Sequence, residues 1–166
     1  MNIESISNER RFIFPVNKKC GFFSSKSYAL ILTQEQIVLA NLSDKMIKEA
    51  TAEAFKKAKD EGKGYFAQVE SAMTALNGLC SKYYSPTISE ILAESNENFS
   101  ISNDEVKKLR FISYNTVVND DTLNQNAKSE LIIETNKEKI KLILANSDND
   151  KLVSQNSKQI FGDKLK

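Results

Sequence analysis

Apolar residues alternate with a period of two in two separate parts of the chain. The first part is Tyr28–Thr33, then Gln34-Glu-Gln36, then Ile37–Asn41. The second is Glu130–Thr135, then Asn136-Lys-Glu138, then Lys139–Leu144. Each predicts a strand, a tight turn and a returning strand. In the first unit Tyr28, Leu30 and Leu32 alternate with Ala29 and Ile31, so both faces are apolar and the strand is expected to be covered on both sides. In the second, Leu131 and Ile133 alternate with Glu130, Ile132 and Glu134, and Ile140, Leu142 and Leu144 with Lys139, Lys141 and Ile143, which predicts one largely wet face carrying cross-strand Glu–Lys pairs. Arg11–Val16 predicts a first strand with Pro15 at its end or at an edge position. Lys18–Phe23 follows as a further strand candidate, with Gly21 supplying a turn or bulge. That places four strands before the middle of the chain. Phe99 and Ile101 bring the chain back to the core, and Lys107–Asn115 predicts a later strand.

Between these parts, roughly from 42 to 94, the period lengthens to that of a helix. Ser43 or Asp44 can cap the first helix. Ile47, Ala50, Ala54, Phe55 and Ala58 draw its apolar face, opposite Lys48, Glu49, Lys56 and Lys59, and Gly62-Lys63-Gly64 ends it. A second helix starts near Tyr65 and carries a seam of Val69, Met73, Leu76, Cys80 and Tyr83, ending at Ser85-Pro86. Thr87–Glu94 predicts a short third helix, with Ile88, Ile91 and Leu92 inward. Near the end, Asp148 or Asp150 is expected to cap a last helix. Its stripe is Leu152, Val153, Ile160 and Phe161, with Gly162 as its terminal cap. Asn119–Asn126 is predicted to be a polar exposed loop.

The chain has 166 residues, enough for one ordinary domain spanning 1–166. Its 23 basic and 22 acidic residues give a net charge of +1, which argues against nucleic acid as a partner. The stretch Met1–Arg11 has no uninterrupted apolar run of the kind a secretory signal needs, and a cytoplasmic location is expected. Cys20 and Cys80 lie far apart without metal spacing and are expected to be free, structural thiols.

The order of elements resembles the pleckstrin-homology-like fold in its bacterial forms. Tyr28–Ala40 is similar to that family's leucine-leucine-threonine-aspartate-x-arginine-isoleucine hairpin, with Gln36 where a basic residue is common. Ile101–Val106 resembles the family's approach to its next strand, with Ser102 in place of the usual proline. Glu130–Leu144 followed by a helix is like its closing hairpin and cap helix. The fold class expected is therefore α+β. It comprises an antiparallel β barrel or sandwich, a helical-hairpin insertion over about 42–94, and a C-terminal helix that caps the core.

Candidate chemistry is sparse. There is no histidine, which removes the commonest general base and the histidine-activated nucleophiles. Asp120-Asp121 and Asp148-Asn149-Asp150 are the densest acids, but they lack calcium-loop spacing and are expected to serve loops and helix starts. No Walker or dinucleotide turn occurs. No metal and no cofactor are expected, and the chain is expected not to be an enzyme. The leading expectation is a binding or scaffolding module acting through protein contacts or self-association, with Met73, Leu76 and Tyr83 on the insertion as its candidate surface. The alternative is a peripheral membrane domain. The resemblance implies anionic lipids, for which Lys18, Lys19 and Lys26, beside Phe22 and Phe23, are the candidate contact.

Overall fold

The computed structural model describes residues 10–113, 128–145 and 149–166. Their strands are β1 (Phe12–Lys19), β2 (Ser25–Leu32), β3 (Gln36–Asn41), β4 (Phe99–Ser102), β5 (Val106–Ile112), β6 (Glu130–Thr135) and β7 (Lys139–Leu144). The helices α1 (Asp44–Asp60), α2 (Tyr65–Ser81) and α3 (Ile88–Ala93) are inserted between β3 and β4, and α4 (Asp150–Phe161) follows β7. The strands form an antiparallel sheet in the order β4-β3-β2-β1-β7-β6-β5, giving an α+β architecture. The loop expected at Asn119–Asn126, its acids Asp120 and Asp121, the end of the strand expected to reach Asn115, and Asp148 lie outside the described residues.

The alternation in β1–β3 sorts side chains into two cores. Phe14, Val16, Tyr28, Leu30, Leu32, Ile37 and Leu39 join Leu109, Leu131, Ile133, Ile140, Leu142 and Leu144 in an inner core. Both ends of the strand order contribute to that core, so the sheet folds over and encloses it. Val153 and Phe161 of α4 close it, with Ile160 and Leu165 packed alongside. The intervening residues Ile13, Ala29, Ile31, Val38, Ala40 and Leu42 form a second core on the outer face, covered by Cys80, Tyr83 and Ile91 of the insertion. The insertion is thus the reason both faces of the first hairpin are apolar.

Three strands precede the insertion rather than four. Lys18 and Lys19 extend β1, whereas Phe22 and Phe23 lie in the turn after it. Pro15 sits inside β1 opposite Ala29, neither at its end nor exposed. Its carbonyl accepts a hydrogen bond from Ala145 N–H on the β7 side. N–H and C=O of one strand residue point the same way, and β1 pairs with β7 only from Val16 to Lys18. The missing donor therefore faces a stretch with no ladder to break.

The two hairpins share one turn design. Thr33 Oγ1 accepts from the N–H groups of Glu35 and Gln36 and donates to the carbonyl of Gln36. Thr135 Oγ1 makes the same set with Lys137 and Glu138. Lys139–Glu134 and Lys141–Glu130 pair across the wet face at 3.4 and 2.8 Å.

The helix ends follow from local chemistry. Ser43 caps α1 by accepting from Met46 N–H. Gly62, at φ +74°, closes it as Gly62 N–H and Lys63 N–H bond the carbonyls of Lys59 and Ala58. Thr87 and Glu90 form a reciprocal capping box on α3. At α4 the outcome differs from expectation. The N-cap is Asn149, with no side-chain cap bond. The carboxylate of Asp150 instead accepts from the hydroxyls of Ser113 and Ser129, tying the helix start to the ends of β5 and β6. Leu152 is exposed, and Ser157 takes the buried place on the helix's inner face.

Candidate functional site

The turn between β1 and β2 is closed by Cys20 N–H donating to the Ser24 carbonyl at 2.9 Å, and by Ser24 Oγ donating to the Cys20 carbonyl at 3.0 Å. Gly21 has φ +127°, a conformation that side-chain-bearing residues rarely adopt. The consequence is an apex at Phe22 and Phe23, which are 101% and 103% exposed. Two adjacent phenylalanines with no intramolecular contact area gain nothing from folding, and such a patch marks an interaction site.

The lysines beneath the apex are not equivalent. Lys18 and Lys26 face each other across the β1–β2 ladder. Counting in twos from Val16 and Tyr28, both lie on the inner-core side, and Lys19 lies on the other. The repulsion between the facing pair is relieved separately for each. Lys26 Nζ donates to Glu97 at 2.8 Å, and this bond, together with the carboxylate's charge, raises the lysine's pKa. Lys18 Nζ stands over the Phe99 ring, 4.9 Å from its centre. Lys19 has no ion-pair partner among the described residues. Three lysines and one carboxylate leave the tip with a net charge of +2. Glu97 and Phe99 were not foreseen as part of this site, because they join it only through the β3–β4 pairing. Cys20 is exposed in the turn, so it is free but not a core thiol.

The second candidate surface divides along its length. Tyr83 is only 1% exposed and belongs to the outer core, so it cannot form part of an interaction surface. Cys80 is buried beside it, and burial pushes its thiol up to about 12. Leu76 is half-buried, and Met73 is 65% exposed. Phe66, 87% exposed, extends the seam one turn further, at the spacing 66, 69, 73, 76, 80. That spacing was the sequence signal for Phe66. Tyr65 stacks edge-on against Phe55 of α1 at 6.4 Å. The seam is therefore buried at its Cys80–Tyr83 end and exposed at its Phe66 end.

Among the described residues there is no group of three or more metal-capable acidic or thiol side chains. None of their helices is long and apolar enough to cross a membrane. No protein-family model matches the chain, and no curated protein is found to be similar to it.

Proposed function

We propose that this chain is a non-enzymatic, cytoplasmic binding domain of pleckstrin-homology-like architecture that docks on anionic membrane surfaces through the β1–β2 tip. The pleckstrin-like reading is supported by the strand order β4-β3-β2-β1-β7-β6-β5 and by the terminal helix packed on the inner core. The observation that carries the function is the full exposure of Phe22 and Phe23 at the apex of a lysine-flanked turn.

Transfer of a phenylalanine side chain out of water is worth about 1.5–3 kcal/mol. A basic residue near an anionic surface adds about 1 kcal/mol. Two rings and a net charge of +2 thus supply on the order of 5 kcal/mol before the cost of immobilisation. That suits a weak, reversible contact. The test is co-sedimentation with phosphatidylcholine vesicles, with and without phosphatidylserine. The protein should bind the anionic vesicles in a salt-sensitive way. Phe22→Ser/Phe23→Ser should abolish binding, and Lys18→Glu/Lys19→Glu should remove its salt-sensitive part. Equal sedimentation of wild type and the double-serine variant would sink the reading.

Contact with a protein, or with a second copy, through the insertion is the second reading. It is favoured by the exposure of Tyr65, Phe66 and Met73 on a helix whose one ionisable side chain besides tyrosine and cysteine is Glu70.

A further inference from the structure

The insertion carries a shallow, open groove along the side of α1 where it borders α2, lined by Lys48, Thr51, Ala52, Phe55, Lys56 and Lys59 of α1 and Ala72 of α2. Its floor is apolar, and every charged side chain lining it is a lysine. Glu49, Glu53 and Asp60 lie on other positions around α1 and do not line it. None of the three lysines is in an ion pair among the described residues. A groove on another part of the same helical hairpin is different, with Glu61 and Glu70 among Lys57 and Lys63. The concentration of positive charge is thus local and does not follow from the chain's overall balance.

The cationic groove also lies along the apolar seam. Tyr65 and Ala72 are seven residues apart, and Val69 and Leu76 lie three and four positions from Ala72, so all four share one helical face. Further along α2 that face meets Cys80 and Tyr83, which bury themselves against the outer face of β1–β3. Closer to the α1–α2 turn the same face is less covered: Phe66 and Met73 at its margin are exposed, and Val69 is only half-buried.

We infer that this groove receives an acidic amphipathic helix of a protein partner. The partner's apolar stripe would cover the seam, as Cys80 and Tyr83 are already covered, and its carboxylates would meet Lys48, Lys56 and Lys59. The inference rests on the protein-contact reading above and adds the chemistry of the partner. Helix-in-groove recognition needs an apolar strip with anchors at i, i+3, i+4 and i+7, and charge complementarity sets which helices are accepted.

The test uses the full chain and two fluorescein-labelled designed helical peptides. Both have leucines at i, i+3, i+4 and i+7; one is flanked by glutamates, the other by lysines. Fluorescence anisotropy should show binding of the acidic peptide only, weakened at least tenfold by Lys48→Glu/Lys56→Glu/Lys59→Glu and several-fold by Met73→Ser. Circular dichroism would confirm that both variants fold. If the two peptides bind alike and only Met73→Ser matters, the acidic partner is wrong while protein contact through the insertion stands. A dimer in light scattering that Met73→Glu dissociates would make a second copy the occupant and overturn the inference. Loss of anionic-vesicle binding in the triple-lysine variant, without peptide binding, would assign the groove to lipid and overturn it as well. No peptide binding and a monomer at all concentrations would remove both the inference and the reading beneath it.

Discussion

Cys20 and Cys80 show how one residue type takes opposite properties from its surroundings. Cys20 stands exposed in the β1–β2 turn, and Cys80 is 3% exposed, buried between the insertion and the outer face of β1–β3. A thiol-specific chromogenic reagent should therefore label one thiol per native chain at once and the second only as the chain unfolds. Two fast thiols would show that the insertion does not cover β1–β3. Burial raises the Cys80 thiol from its ordinary 9.0 to about 12. Between those values the unfolded chain loses a proton that the folded chain keeps. Stability should then be unaffected by this group below pH 9 and fall above it, by at most about 1.4 kcal/mol per pH unit. The Tyr83 hydroxyl, raised chiefly by burial, acts in the same direction at higher pH. Urea titrations at pH 7, 9 and 10 should show a shallower decline for Cys80→Ala than for wild type. Gly21 is the other decisive single residue. Gly21→Ala has room for its methyl group but not the required φ, and it should destabilise the turn by about 1–3 kcal/mol.

The elements were legible where the deciding interactions are local. Thr33 and Thr135 close their hairpins through bonds within four residues, and both turns stand where period-two patterning placed them. The same design has unequal weight in the two turns. Thr33 is fully buried, whereas Thr135 is partly exposed. Thr33→Ala removes a fully buried hydroxyl and leaves the Glu35 and Gln36 N–H groups of part-buried bonds without it, and should cost about 1–2 kcal/mol; Thr135→Ala, whose corresponding bonds are exposed and open to water, should cost under about 1 kcal/mol. Equal losses in chemical denaturation would contradict the burial difference. Pro15 and Asp150 were misread for a common reason. A proline's tolerance depends on which neighbouring strand its nitrogen faces, and a carboxylate near a helix start caps it or not according to what else competes for it. Here Ser113 and Ser129 do so.

At the scale of the molecule, the insertion is both core and surface. Its portion near Cys80 and Tyr83 completes the outer core, and the part towards the α1–α2 turn carries exposed aromatics. Tyr83→Ala should therefore destabilise the whole protein by about 3–5 kcal/mol, as truncation of a buried aromatic does. Phe66→Ser should change stability by no more than about 0.5 kcal/mol. Urea denaturation of the two variants checks this, and similar values would mean that the hairpin packs as one uniform unit. The seam itself was readable at 3- and 4-residue spacings. Where its cover stops was not, because both ends of α2 carry the same kind of residue and only what packs against each end separates them.

The sequence by itself determined the alternation of strands, the helical block at its place between them, the helix ends at Ser43, Gly62 and Thr87, and the cross-strand Glu–Lys pairs. Each of these is set by neighbours a few positions away along a strand or helix, or facing across one tight hairpin. Only the tertiary structure decided that Phe22 and Phe23 stand in water, that Glu97 and Phe99 neutralise or accommodate two of three candidate lysines, and that Tyr83 is core while Met73 is surface. Those outcomes depend on segments distant in the chain meeting in space. Burial is a property of that meeting, and the pattern of apolar residues is the same whether a partner element arrives or not.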